Sequence, residues 1–178
     1  MPRITLIGYR GTGKSTVAAI LAKELGCGWC DADTVLEERL GTTIAAVIRD
    51  RGEPAFRDAE ARVLIDLMAG DGVVATGGGV VLRAANRDVL RLRGRPVVWL
   101  RATADIVRRR LAADPTTVTR RPSLTGSDPL MEVATTLEVR EPLYRECADV
   151  EFDTGSEPPE AVAARIVGWL AGNRGQAR

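Results

Sequence analysis

The chain has 178 residues, 45% of them hydrophobic and 28% charged, with a formal net charge of +1. That length and balance fit one globular domain with a full core, and near-neutral charge gives no electrostatic case for a nucleic-acid or membrane surface. Histidine is absent and there are three cysteines, which excludes Ser-His-Asp and Cys-His catalysis and a four-ligand Cys/His zinc site, so a general base must be a carboxylate.

In chain order, the first predicted element is a β-branched strand, Ile4-Thr5-Leu6-Ile7, followed by Gly8-Tyr9-Arg10-Gly11-Thr12-Gly13-Lys14-Ser15. A helix opens at Lys14 and carries Val17, Ile20, Leu21 and Leu25 on one face. Further strands are expected at about 28–31, at 73–76, at 97–100 and at 150–153, with helices or helical pairs between them. Five short strands separated by helices predict a three-layer α/β fold, a five-stranded parallel sheet with helices on both faces and ligands at the carboxyl ends of the strands. Residues 113–129 are polar and turn-rich without periodicity, and a stretch of that length inside a compact domain reads as a mobile lid. Residues 1–171 are expected to form one domain and 172–178 a disordered polar tail. No signal-peptide pattern and no long apolar run are present, so a cytoplasmic protein is expected.

Residues 8–15 match G-x-x-x-x-G-K-[ST], the phosphate-binding P-loop, between the strand and helix its mechanism requires. A glycine-rich turn that merely precedes a helix is the alternative, and Gly-Lys-Ser in register argues against it. The glycines let successive N–H groups turn inward at the positive end of a helix dipole. The segment Gly11, Thr12, Gly13, Lys14, Ser15 and Thr16 would then hold the phosphates of a nucleoside triphosphate, with Lys14 as a point charge and the Ser15 hydroxyl on Mg²⁺. Cys27-Gly28-Trp29-Cys30 spells C-x-x-C, but a reactive pair wants a helix N-terminus after it and this one runs into a strand. Both cysteines read as core packing, as does Cys147 on a helical stretch.

Several motifs in order carry a resemblance: Gly8 to Ser15; Asp31-Ala32-Asp33; Gly52-Glu53 with Phe56-Arg57-Asp58-Ala59-Glu60; Thr76-Gly77-Gly78-Gly79; Arg121-Pro122-Ser123-Leu124-Thr125-Gly126; Arg140-Glu141-Pro142-Leu143-Tyr144-Arg145; and Phe152-Asp153-Thr154. From residue 4 to about 166 the chain resembles the shikimate kinases. The resemblance implies a nucleoside-monophosphate-kinase-like P-loop fold and transfer of the γ-phosphoryl of ATP to the 3-hydroxyl of shikimate, a step toward chorismate and the aromatic amino acids. It implies one Mg²⁺, held by Ser15 and Asp31, and a monomer that binds neither nucleic acid nor membrane. Arg57 and Arg140 match the family positions that grip the substrate carboxylate, Asp33 the one that receives the hydroxyl proton, and Gly78 the close backbone approach to substrate. Arg121 matches the lid arginine that closes over the phosphates, although Arg120 beside it leaves that register open. Arg109 and Pro158 or Pro159 match the adenine contacts, of which Arg109 and Pro159 are preferred.

The residues make separate physical sense of this. A carboxylate is best held by planar guanidinium groups, and Glu60, three residues after Arg57, can fix the Arg57 rotamer. From spacing alone, Arg57 with Glu60 reads as a surface ion pair, Arg140 as a solvated helix residue, and Asp33 as the N-cap of a helix over 34–40; the flanking motifs reverse the first of these. A gluconate or nucleoside monophosphate kinase, and a non-catalytic nucleotide-binding module, are the remaining alternatives. A nucleic-acid-binding ATPase lacks charge and stacking platforms, with only seven aromatic residues.

Overall fold

The computed structural model describes residues 4–113 and 132–173. The expected lid, apart from Ala113, and the tail beyond Asn173 lie outside the described residues. Five parallel strands form one sheet in the order β2-β3-β1-β4-β5: β1 (Ile4–Ile7), β2 (Trp29–Asp31), β3 (Val73–Ala75), β4 (Val97–Arg101) and β5 (Val150–Asp153). The helices are α1 (Lys14–Leu25), α2 (Ala32–Leu40), α3 (Ile44–Ala69), α4 (Ala84–Arg93), α5 (Ala104–Ala113), α6 (Glu132–Cys147) and α7 (Pro159–Asn173). All five expected strands are present, with ends moved by one residue at β2, β3 and β4. Beyond β3 the ladder is continued by Thr76, whose N–H donates to Leu6 O at 3.0 Å. Helix α7 reaches two residues into the segment expected to be disordered.

Side-chain alternation explains why both sheet faces are covered. Ile4, Leu6, Val73, Ala75, Val98 and Leu100 point to one side, where α1 and α7 supply Val17, Leu21, Val162 and Ile166. The intervening residues Ile7, Val74, Val97 and Trp99 point to the other, against Leu64 and Met68 of α3, Leu90 of α4 and Tyr144 of α6. Near-continuous apolar strands are what a parallel sheet buried on both faces needs. Cys27 packs on the first side and Cys30 on the second, so the C-x-x-C spacing straddles the sheet and both thiols are free. Burial, with Asp31 adding to it, raises the Cys30 pKa, the opposite of a reactive thiolate. Cys147 is buried and its thiol is pushed up to about 11, chiefly by that burial.

Two breaks position the site. Helix α3 is interrupted at Gly52 (φ 81°, ψ 162°), a conformation that favours glycine, so the turns carrying Phe56, Arg57 and Glu60 form a second helical segment. Helix α2 starts at Ala32, not Thr34 as expected, because Asp31 rather than Asp33 is its N-cap. The Asp31 carboxylate accepts from Asp33 N at 2.9 Å and Thr34 N at 3.4 Å. Among the described residues no helix is long and apolar enough to cross a membrane.

Candidate active site

The phosphate loop between β1 and α1 is shaped by glycines. Gly8 has φ +141°, and a Cβ there would lie 2.3 Å from Leu100 O; Gly11 (φ +78°) and Gly13 (φ +88°) carry the chain into α1. The Thr12 hydroxyl donates to Tyr9 O at 2.8 Å and closes the turn. Lys14 is buried, and its Nζ donates to Gly8 O at 2.8 Å and Tyr9 O at 2.9 Å. The ammonium is thus held over the loop by the loop's own carbonyls. Ser15 and Thr16 are exposed at the start of α1, and the Ser15 hydroxyl donates to Asp31 Oδ2 at 2.5 Å. A hydroxyl and one carboxylate at the mouth of a phosphate loop are hard oxygen donors that suit Mg²⁺, which keeps several waters and takes phosphate oxygens for the rest.

The glycine triplet after β3 is the hub of the second half. A Cβ on Gly77 would lie 2.8 Å from Asp33 Oδ1 and 3.0 Å from Glu60 Oε1, and one on Gly79 would lie 2.4 Å from Arg57 Nη1. A Cβ on Gly78 would meet Arg10 N of the phosphate loop at 3.1 Å. Gly78, expected to give the close backbone approach to substrate, makes a close approach to the phosphate loop. Gly78 lets the triplet lie against the P-loop, while Gly77 and Gly79 make room for the acidic and basic side chains. The Gly78 carbonyl accepts from Arg140 Nη1 at 3.1 Å and from the Tyr144 hydroxyl at 2.5 Å. Tyr144 is fully buried and stacked on Trp99, and burial raises its pKa, so it stays a neutral donor. The Arg140 guanidinium also lies 5.5 Å from the centroid of the Tyr9 ring.

Arg57 is not a solvated surface residue. Its side chain is 10% exposed, Nη1 donates to Glu60 Oε2 at 2.9 Å, and Nε and Nη2 donate to Glu53 Oε1 at 3.1 and 2.9 Å. Burial works to lower the Arg57 pKa, and Glu60 and Glu53 more than offset it, so the guanidinium stays charged. Asp33, Arg57, Glu60 and Arg140, spread over more than a hundred residues of sequence, thus converge on one tripeptide that itself touches the P-loop.

On the far side of the P-loop, Arg109 is exposed on α5, while its neighbour Arg110 reaches inward. Arg110 donates to Gly11 O at 3.3 Å, to Thr154 Oγ1 at 3.2 Å and to Thr154 O at 2.5 Å, tying the P-loop to the segment after β5. Sequence reasoning singled out Arg109 and missed this brace, because three consecutive arginines on a helix carry no mark of which one faces inward. Pro158 caps α7 through its carbonyl, which accepts from Ala161 N and Val162 N, and Pro159 is the first residue of that helix. Arg120 and Arg121 lie outside the described residues. Glu53 and Tyr144 were also missed as partners. Each sits four residues from an arginine of the site on the same helix, and that spacing could have found them.

The family model for shikimate kinase matches residues 10–171. The chain belongs to the shikimate kinase family. Among curated members, "Shikimate kinase" of Pseudomonas syringae pv. syringae (strain B728a) is 42% identical over 96% of this chain and 97% of its own length. "Shikimate kinase 2" of Sodalis glossinidius is 43% identical over 93% of each. A solved structure of the Acinetobacter baumannii shikimate kinase, in complex with shikimate, superposes with a TM-score of 0.88 at 34% identity, covering 96% of this chain and 93% of that one. A gluconokinase from Sinorhizobium meliloti 1021 reaches a TM-score of 0.57 at 18% identity, a likeness of fold alone.

Proposed function

We propose that this shikimate kinase family member transfers the γ-phosphoryl group of ATP to the 3-hydroxyl of shikimate, giving shikimate 3-phosphate and ADP. The observation that carries the reading is the meeting of Arg57, Arg140, Asp33 and Glu60 at the glycine triplet beside the P-loop. Shikimate has one carboxylate and three hydroxyls, and the site offers two guanidinium groups and two carboxylates to match. Arg57 and Arg140 grip the substrate carboxylate, with Glu60 fixing the Arg57 rotamer. Asp33, in the first turn of α2, accepts hydrogen bonds from the ring hydroxyls and takes the proton of the attacking one.

On the nucleotide side, the N–H groups of residues 11–16 hold the β-phosphate, and Lys14, already poised over the loop, binds the β- and γ-phosphates. Ser15 and Asp31 are the residues that would hold Mg²⁺. When bound, the cation neutralises charge on the phosphate oxygens. Arg109 and Pro159 are assigned to adenine, and Arg121 to the charge that spreads over the transferring group. A loose transition state needs positioning and positive charge more than covalent help, so Asp33 is secondary to Lys14 and Arg121. We read the enzyme as a monomer working in the cytoplasm.

The test is ADP release measured with shikimate, gluconate and nucleoside monophosphates in parallel. Weak basal ATPase stimulated by shikimate and dependent on Mg²⁺ is expected. An unchanged rate with shikimate and a raised one with gluconate or a nucleotide would replace the acceptor assignment.

A further inference from the structure

The Arg57 guanidinium has three edges, and each meets something different. The Nη1/Nη2 edge faces Gly79, where a Cβ would sit 2.4 Å from Nη1 and 2.7 Å from Nη2, so no ligand can enter there. Nη1 is also bound by Glu60, whose side chain is 6% exposed and closely enclosed. The remaining Nε/Nη2 edge is the geometry a carboxylate uses for bidentate pairing. A carboxylate already occupies it: one oxygen of Glu53 receives both N–H groups, at 3.1 and 2.9 Å. The Glu53 side chain is 41% exposed, and it stands directly after the break at Gly52. Of the two glutamates on Arg57, Glu53 alone has solvent to retreat into.

We propose that Glu53 is a stand-in for the substrate carboxylate, occupying the binding edge of Arg57 in the empty site and yielding it when shikimate arrives. The proposal rests on the reading of Arg57 as a carboxylate-binding residue. Two consequences follow from elementary electrostatics. In the empty enzyme, Glu53 spares a nearly buried guanidinium the cost of an unsatisfied edge. In the bound enzyme, it must move aside and leave a like charge near the ligand, so it lowers affinity for the anionic end of the substrate while retaining selectivity, because only a group able to pair with two N–H donors can displace it.

The experiment is calorimetric shikimate binding, without nucleotide, to the wild type and to Glu53→Gln, Glu53→Asp and Arg57→Ala, with steady-state kinetics alongside. Glu53→Gln weakens the competitor by removing its charge, and Glu53→Asp withdraws it by one methylene while keeping the charge. A half-exposed ion pair is worth little, so the shikimate Kd is expected to fall by about two- to fivefold in both variants, with KM falling in parallel and kcat held. An unchanged or raised Kd in Glu53→Gln, beside lost binding in Arg57→Ala, would overturn the stand-in role and leave the function intact. A tighter Gln variant beside an unchanged Asp variant would mean a field effect without displacement, and would overturn it too. Normal shikimate binding by Arg57→Ala would instead remove the functional reading on which the proposal rests. Thermal denaturation of each variant checks folding, and if the Gln variant does not fold, the Asp variant decides.

Discussion

The two halves of the cleft are built by different means. The P-loop side is a contiguous run of eight residues, shaped by glycines at positive φ and lying so close to β4 that a Cβ at Gly8 would be 2.3 Å from Leu100 O. The side we assign to the acceptor is built from side chains on α2, α3 and α6 around the glycine triplet, in which Gly77 and Gly79 leave room for them. A site of backbone is local in sequence and hard to alter without harming the fold. A site of side chains is dispersed, and each member can be removed alone.

The largest effect is expected at Arg121. Arg121→Ala should lower kcat on the order of 10³-fold, as loss of an arginine finger does, with shikimate affinity kept, while Arg120→Ala should do much less. Steady-state kinetics decide, and the reverse ranking would shift the register by one residue. Next in size, Gly8→Ala places a Cβ against backbone at a φ that side chains avoid, so denaturant unfolding should reveal a loss of about 2–4 kcal/mol. Gly79→Ala presses instead on the end of Arg57, and should weaken shikimate binding more than it lowers stability. If both glycine variants lose the same quantity, the distinction between backbone and side-chain halves fails.

Arg140→Ala removes a charged donor worth about 1.5–3 kcal/mol. Calorimetry should register the loss for shikimate and almost none for ATP; equal losses would assign the residue to the nucleotide or to the fold. The smallest effect is expected at Arg110. Cutting its ties to Gly11 and Thr154 should weaken ATP binding by about tenfold at most, and leave shikimate binding unchanged.

The same contrast explains what could be read from sequence. The P-loop was legible in full because strand, loop and helix are contiguous and each glycine has a local reason. The strand order was not, since a run such as Val73-Val74-Ala75 carries no sign that it inserts between β1 and β2. On the acceptor side, Arg57 and Arg140 were legible only through the surrounding motifs; helix spacing alone made them surface residues. Asp31 and Asp33 are two residues apart and chemically alike, and only hydrogen-bond geometry assigns the cap to Asp31. The inward turn of Arg110 depends on where α5 docks, which no local pattern in Arg108-Arg109-Arg110 encodes.

The sheet order has a consequence for how such a molecule can diverge. Because β1 is the middle strand, with β3 on one side and β4 on the other, everything that recognises the acceptor through α2, α3 and the triplet is reached by leaving β1 in one direction. The brace to the segment after β5 is reached by leaving it in the other. A recombinant that exchanges residues 29–79 with those of a kinase of the same fold would replace Asp33, Arg57, Glu60 and the triplet together, and Asp31 with them, while keeping the P-loop and Arg140. Its junctions would be the Gly28 O to Val73 N bond and the ladder between β1 and β3, and they require Gly72, where a Cβ would lie 2.4 Å from Gly28 O.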